Sequence, residues 1–168
     1  FSGQLLPWRF VQVPDTARPW LADVFGQALQ ARDAQASAEQ LAQARDKAFR
    51  APVLLLVVVD TQRGDPEVDL NERLVSTGCA VQNMLLMATA LGYGSALTSG
   101  KALKAQGLRA LVGLQEGEHA LCFASIGTVV SRSLGRPRPE PNDYVGTLQA
   151  PGRVVPGFES TTPRKETA

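Results

Sequence analysis

Apolar and polar positions along the chain alternate with strand-like and helical periods, and the pattern predicts a series of strands and helices. Residues 5–13, LLPWRFVQV, predict a turn at Pro7 that leads into a strand. Residues 17–33 predict a helix whose apolar face carries Trp20, Leu21, Val24, Phe25, Ala28 and Leu29. Residues 36–50 predict a second helix, because Ser37 and Gln40 form a capping-box pattern at its start.

The central part of the chain is more strongly apolar. The run Val53–Val59 predicts a strand buried on both faces, because it is rich in valine and holds no polar position. Residues 67–91 predict a helix that is apolar nearly all round, which must be buried in a core or against a partner. A homodimer interface is a natural place for the surplus apolar face in so small a chain, and a core-only interpretation stays open. A short helix ending near Gly113 and a second buried strand, Ala120–Ile126, follow.

This order of elements predicts an α+β fold, with a mixed sheet and flanking helices forming an α/β sandwich. The sequential βαβ spacing also allows a doubly wound fold. We expect one domain over residues 1–148 and an extended or disordered tail over residues 149–168. Five prolines between Pro137 and Pro156 are expected to exclude regular structure in the centre of the C-terminal region, and the residues from about Glu159 are expected to be disordered.

Composition and charge exclude several classes of function. The 17 Lys and Arg residues nearly balance the 16 Asp and Glu residues, which argues against nucleic acid or a membrane surface as a partner. The longest apolar run is too short to span a bilayer, and no secretory leader opens the chain, so we expect a cytoplasmic location. Cys79 and Cys122 lie in apolar stretches and are expected to be small buried residues. With His119 as the single histidine, no metal site is predicted.

The segment GYGSALTSG, residues 92–100, is the first candidate for a binding site. It matches neither the dinucleotide-binding nor the P-loop fingerprint. Its glycines would let a flat ligand approach the backbone, and the hydroxyls of Thr98 and Ser99 could bond to a polar ring edge. The alternative, a helix cap at Gly92 followed by a strand of small residues, is favoured when the segment is taken alone.

Two further segments carry polar groups that could bind a ligand. Three small polar residues precede the rigid Pro-Trp pair at the N-terminus: Ser2, Gly3 and Gln4. They could equally form a loop that leads into a strand, with Trp8 in the core. Three arginines in a proline-rich stretch could hold a phosphate or could be solvated: Arg132, Arg136 and Arg138.

The order of these segments, from Gly3 to about Leu148, resembles the nitroreductase family, and in particular its small bacterial NAD(P)H nitroreductases. The segments are PWRF, FRAPVLLLVVVD, STGCAVQNMLLMATALGYGSALTSG, ALCFASIGT and RPRPEPNDYV. The resemblance implies an FMN-binding homodimer with the flavin at the subunit interface. It implies an oxidoreductase in which NADH or NADPH reduces the flavin, which then reduces a nitroaromatic or quinone-type acceptor. No catalytic side chain is expected, because the flavin supplies the chemistry.

The resemblance also implies site residues by position. The flavin contacts fall on Leu97, Thr98 and Ser99, and near Ser2 with its neighbours Gly3 and Gln4. A phosphate contact falls on Arg138. The nicotinamide-nucleotide segment falls on what the pattern predicts to be a buried helix end: Met87, Ala88, Thr89, Ala90, Leu91 and Gly92.

One departure from the family leaves other functions open. Its members begin with a further segment whose arginines and serine hold the FMN phosphate, whereas Phe1 aligns after that point. An alternative is therefore a flavin-binding protein of the same fold with a different reductase activity or none. A structural dimerisation module is a third interpretation, against which the clustered glycines and hydroxyls argue.

Overall fold

A four-stranded antiparallel sheet organises the first of two units in the chain, Phe1–Val130. We describe the protein from a computed structural model that covers residues 5–131, 135 and 137–159. The sheet has the order β1-β2-β4-β3, with strands β1 (Trp8–Gln12), β2 (Val53–Asp60), β3 (Gly94–Thr98) and β4 (Glu118–Gly127). The α+β class is confirmed. Because all three pairings are antiparallel, the described sheet is not mixed, and the doubly wound alternative is wrong.

Strand β2 lies at the centre of the core, as its apolar run predicts. It pairs with β1 on one side and β4 on the other, and its residues from Leu56 to Val59 are at most 1% exposed. Successive side chains of a strand point to opposite faces. Leu54, Leu56 and Val58 therefore face one layer of helices, and Val57 and Val59 face the other.

Helices cover both faces of this sheet. Within the first unit they are α1 (Arg18–Arg32), α2 (Ala38–Asp46), α3 (Leu70–Ala90) and α4 (Gln106–Val112). The main core forms where Leu21 and Val24 of α1 and Leu108 of α4 pack on the Leu54 face of β2. Helix α3 packs on the opposite face, against β1, β2 and β3. The flanking helices predicted from the apolar periodicity are thus confirmed.

The helix starts follow from side-chain capping. The Ser37 hydroxyl accepts from the Gln40 backbone N–H at 3.2 Å, and the Ser37 N–H donates to the Gln40 side chain at 2.8 Å, which is the predicted capping box. Asp69 caps α3 by accepting from the Glu72 N–H at 2.9 Å. This cap makes α3 begin at Leu70, three residues later than the periodicity predicted.

Two arginines are among the largest fully buried side chains, and the sequence pattern predicted neither. Arg18, at the start of α1, donates at 2.6–3.2 Å to the backbone carbonyls of Val13, Ala48 and Pro52. Arg73, in the first turn of α3, is 1% exposed and donates at 2.7–3.3 Å to four carbonyls, those of Asp60, Arg63, Asp65 and Val68. A buried guanidinium is tolerated when its N–H groups are satisfied, so each arginine ties neighbouring loop backbone to the first turn of a helix.

An ion pair joins β1 to the start of β4. Arg9 donates two hydrogen bonds to the Glu118 carboxylate, from Nε at 2.7 Å and from Nη2 at 2.9 Å. The Gln115 backbone N–H donates to the same carboxylate at 2.9 Å. The Arg9 hydrogen bond, with the Gln115 N–H and the nearby positive charges, lowers the pKa of Glu118 from 4.5 to about 2, although burial opposes this shift.

We expect the pair to stabilise the fold at neutral pH and to lose this effect in acid. Because the folded-state pKa of Glu118 is depressed, its contribution is present above pH 4.5 and is lost as the pH falls through about 2. The Glu118→Gln variant should lose about 2 kcal/mol of unfolding free energy at pH 7. This is less than the pKa shift alone implies, because the Arg9 side chain is 41% exposed and solvent screens the ion pair. Urea denaturation at a series of pH values would measure the difference, which should shrink steadily in acid.

Glu116→Gln is the matched control for this prediction, because Glu116 is exposed in the same turn and forms no described side-chain hydrogen bond. It should change the unfolding free energy by less than about 0.5 kcal/mol. A difference between wild type and Glu118→Gln that stays the same from pH 7 to acid would contradict the assignment.

Helix α3 is apolar on its outer face as well as on its inner face. Its buried stripe consists of Arg73, Thr77, Val81 and Ala88. The opposite stripe is exposed and carries Val75 at 51%, Cys79, Leu86 at 57% and Ala90, with the amides of Gln82 and Asn83 between them. No charged residue occurs from Leu74 to Ala90. The core of this unit therefore covers only part of the apolar helix. Among the helices of the described residues, none is both long enough and apolar enough to cross a membrane.

Two burial expectations are wrong in the structure. Trp20 is 60% exposed, because it lies one residue, about 100° round the helix, from the buried Leu21. Cys79 is exposed, because it belongs to the outer stripe of α3. Cys122 is half-buried in β4, and burial raises its pKa; both cysteines are free thiols.

The second unit, Ser131–Ala168, contains regular structure where prolines were expected to exclude it. A short helix, α5 (Pro141–Tyr144), precedes an antiparallel hairpin of β5 (Gly146–Ala150) and β6 (Arg153–Pro156). Pro141 occupies the start of a helix, where no N–H donor is needed, and Pro151 with Gly152 forms the hairpin turn. The hairpin spans the boundary expected at residue 148, and the tail beyond Glu159 lies outside the described residues.

Candidate functional site

The glycine-rich segment begins by terminating α3. Gly92 has φ +84°, the left-handed conformation that favours glycine. The Gly92 N–H donates to the Thr89 carbonyl and the Tyr93 N–H to the Ala88 carbonyl, which together make a Schellman cap. The helix-cap interpretation of Gly92 is therefore confirmed, and it accounts for the first part of the segment only.

The rest of the segment forms β3, an edge strand of the sheet. Directly paired residues on neighbouring strands point to the same face, and Thr98 pairs with Phe123 of β4. Thr98 therefore points to the face covered by α1 and α2, and Leu97 points to the α3 face, where it is 46% exposed. The structure thus separates the side chains of two neighbouring residues that were predicted to share one site.

A cavity of about 720 Å³ lies on the Thr98 side of the sheet. Helices α1 and α2 form one wall, and the end of β3 with the following 3-10 helix, Lys101–Lys104, forms the other. Thr98, Ser99 and Gly100 line it. A Cβ placed on Gly100 would meet no protein atom within 4 Å, so a ligand can reach this backbone.

The floor of the cavity is apolar. Phe25 of α1 and Phe123 of β4 pack edge to face, with ring centroids 5.6 Å apart, and Leu54 of β2 lies beside them. Gln40 and Gln43 of α2 add amide groups to the wall. A cavity with an apolar floor and a few polar groups on its walls is typical of a site for a flat organic ligand.

Four cationic side chains give the cavity its charge: Arg32, Lys47, Arg50 and Lys101. The described lining holds no Asp or Glu, so its formal charge is +4, whereas the whole chain carries +1. None of the four forms an ion pair with another described residue. A concave site lined by charges of one sign concentrates ligands of the opposite sign, so this cavity favours an anion.

The other predicted site residues lie elsewhere. Met87 to Gly92 form the end of α3 and its cap, and they line neither this cavity nor the second one described below. That helix end is not buried as expected, since Met87 is 59% and Leu91 65% exposed. Arg138 is exposed in the second unit. Ser2, Gly3 and Gln4 lie outside the described residues, as do Arg132 and Arg136. The roles predicted for all of these residues stay predictions.

Sequence reasoning missed the cations of the cavity. Lys47 and Arg50 precede β2, Arg32 ends α1, and Lys101 follows β3. Lys47 and Arg50 are three residues apart, but Arg32 and Lys101 lie far from them in the chain, and the four form no motif. The one available signal is FRAP before β2, which contributes to the family resemblance but does not by itself mark Arg50 as a binding residue.

Comparison with known proteins agrees with this fold. A "Putative NAD(P)H nitroreductase YdjA" of Escherichia coli (strain K12) is 30% identical over 138 residues, which cover 80% of this chain and 74% of that protein. A nitroreductase-like family protein from Bacillus cereus has a TM-score of 0.71 at 18% identity, over 89% of this chain and 77% of the other. The FMN and NADPH-dependent nitroreductase NfnB from sphigopyxis sp. strain HMH has a TM-score of 0.62 at 18% identity, over 86% of this chain and 81% of the other.

The fold and cavity define an α+β protein with a positively charged cavity beside the edge strand β3. Residues 1–128 match the model of the Nitroreductase family, so the chain belongs to that family. The resemblance found in the sequence is confirmed, as is its assignment to a class of oxidoreductase enzymes. In the described part of the chain, no group of three or more His, Cys, Asp or Glu residues could hold a metal ion.

Proposed function

We propose that this protein is an FMN-dependent oxidoreductase that uses NADH or NADPH to reduce nitroaromatic or quinone-type acceptors. The observation that carries the proposal is the +4 cavity beside the small-residue end of β3. Family membership supports the enzyme class, and the sphigopyxis nitroreductase described as FMN-dependent supports the cofactor. The cytoplasmic location predicted from the sequence stays a prediction.

The residues of the cavity match the chemistry of FMN. A phosphate dianion needs cationic donors, which Lys47 and Arg50 provide at one wall. A flat ring needs an apolar floor and accessible backbone, which Phe123 and Gly100 provide. The hydroxyls of Thr98 and Ser99 can donate to or accept from the polar edge of such a ring. Of the three residues assigned to the flavin after α3, the cavity thus favours Thr98 and Ser99 over Leu97.

The chemistry that FMN supplies when bound is transfer of a hydride from the nicotinamide, which leaves as NAD(P)+, and delivery of the two electrons to the acceptor. This chain binds and orients the participants. Its cationic lining lowers the free energy of negative charge that accumulates in the cavity. The apolar floor keeps water from one face of a bound ring. No side chain is assigned a catalytic proton transfer.

We further propose that the protein is a homodimer in which a second copy covers the outer stripe of α3. The stripe is uncharged and exposes Val75 and Leu86 beside the amides of Gln82 and Asn83, and a patch of exposed apolar side chains of this kind marks an interaction surface. Helix α3 and the cavity lie on opposite sides of the sheet, and both contact the edge strand β3. A copy that covers the outer stripe of α3 therefore lies on the side of the sheet to which Leu97 points, away from the cavity.

Titration with FMN tests the cofactor site directly. We expect the Lys47→Gln variant to bind FMN about tenfold more weakly than wild type, because it loses one charge-assisted bond to the phosphate. Quenching of flavin fluorescence on binding would give the dissociation constants. Arg63→Gln removes the same charge from an exposed loop outside the cavity and should bind FMN like wild type. Equal affinities for wild type and Lys47→Gln would contradict the placement of the phosphate.

Steady-state kinetics test the activity. Purified protein with FMN should oxidise NADH or NADPH in the presence of a nitroaromatic or quinone acceptor, faster than the same concentration of free FMN. Protein that stays colourless after addition of FMN would refute the proposed cofactor. Protein that binds FMN but shows no turnover above free FMN would instead support the alternative of a flavin-binding protein without reductase activity.

A further inference from the structure

A second cavity, of about 510 Å³, adjoins the first. It lies between α1, the 3-10 helix Lys101–Lys104 and α4. Arg32 and Lys101 line both cavities, so the two share a cationic border, and we call the pair of cavities the groove. Lys104 lines only the second cavity, and Lys47 and Arg50 line only the first.

The second cavity has its own set of binding groups. Arg32, Lys101 and Lys104 supply three positive charges, and the described lining again holds no carboxylate. Gln27 and Gln106 offer amide groups that both donate and accept hydrogen bonds. The remaining wall consists of small apolar side chains such as Ala31, which leave room for a flat ring. The second cavity therefore suits a nucleoside phosphate, with its aromatic base against the small side chains, while the first cavity holds another anionic ligand.

We propose that the second cavity binds the adenosine 2′-phosphate of NADPH, so that the reductant of this protein is NADPH rather than NADH. The inference rests on the proposed function and concerns the adenosine end of the reductant, not the segment Met87 to Gly92. Sites that select NADH commonly use a carboxylate to accept from the ribose 2′-hydroxyl, and sites that select NADPH use a cation for the 2′-phosphate. Three cations without a carboxylate match the second case.

Binding of adenine nucleotides to the full chain, with and without added FMN, tests this inference by calorimetry. We expect 2′,5′-ADP to bind at least about tenfold more tightly than 5′-AMP, a difference that one charge-assisted phosphate contact supplies. The charge-matched isomer 3′,5′-ADP should bind more weakly than 2′,5′-ADP. The Lys104→Gln variant should lose about tenfold in affinity for 2′,5′-ADP and keep the wild-type affinity for FMN.

Two matched variants separate the cavities. Lys47→Gln should weaken FMN binding and leave 2′,5′-ADP binding to the FMN-free chain unchanged, and Arg63→Gln should change neither. In steady state, Lys104→Gln should raise the KM for NADPH about tenfold and leave the KM for NADH unchanged.

The inference is overturned if 2′,5′-ADP and 3′,5′-ADP bind equally, since the groove would then attract phosphate by charge alone. It is also overturned if Lys104→Gln binds 2′,5′-ADP like wild type. Either result is compatible with the proposed function if the protein still binds FMN and oxidises NADH. Protein that binds 2′,5′-ADP selectively but binds no FMN would instead refute the proposed function and keep the phosphate site.

Discussion

Replacing Arg73 with methionine should lower the free energy of unfolding by about 3 kcal/mol, the largest effect on stability that we expect from one substitution. The guanidinium is 1% exposed and donates to four loop carbonyls between Asp60 and Val68. Methionine fills similar volume but offers no donor, so these carbonyls lose their partners and the loop is released from α3. Urea denaturation would measure the loss, and hydrogen exchange should become faster over residues 61–68.

Two further variants identify the cause of this loss. Arg63→Met lies on the same loop with an exposed side chain, and it should change stability by less than about 0.5 kcal/mol. Arg73→Lys keeps the charge but cannot reproduce the planar fork of donors, so its stability should fall between that of wild type and Arg73→Met. A loss below about 1 kcal/mol in Arg73→Met would show that water replaces the guanidinium at little cost.

The Leu86→Glu variant should convert the proposed dimer into a monomer. Leu86 is 57% exposed at the centre of the uncharged outer stripe of α3. In a symmetric dimer the substitution introduces two charges into one apolar interface, with no cation from Leu74 to Ala90 to pair with them. We expect the dimer dissociation constant to rise at least about 100-fold, measured by analytical ultracentrifugation.

Gln35→Glu provides the control, because it makes a comparable charge change in the exposed loop between α1 and α2. It should leave the dissociation constant unchanged. A wild-type protein that is monomeric at micromolar concentration would refute the proposed dimer. A Leu86→Glu variant that dimerises as strongly as wild type would place the interface away from the outer stripe of α3.

Much of the fold was predictable because the local signals are strong. The apolar run of β2, the Ser37 capping box and the left-handed Gly92 each specify their structure through neighbouring residues. Local signals failed where a contact from elsewhere decides the outcome. The exposure of Trp20 depends on which sector of α1 the sheet covers. The start of α3 was misplaced for a different reason, because it is fixed by a local cap, Asp69 with the Glu72 N–H, which apolar periodicity alone does not mark. The expectation for the prolines of the second unit was wrong, because they form the helix start and hairpin turn there.

The candidate site was only partly predictable. Thr98 and Ser99 are assigned by resemblance, and both line the cavity, whereas the neighbouring Leu97 points to the other face of the sheet. Assigning these side chains to a face requires the register of β3 against β4, which no local pattern specifies. Lys47 and Lys101, which are 54 residues apart in the numbering, meet in one cavity only after the chain has folded.

The sequence by itself determined the order of the elements, the family and an apolar excess in α3, because hydrophobic periodicity, capping residues and segment order are properties of neighbouring positions. Only the tertiary structure decided which face of β3 borders the cavity, which cations line it and which stripe of α3 stays exposed. Those features depend on strand register and on contacts between segments far apart in the chain. They are set by the packing of the whole unit and not by any single stretch of residues.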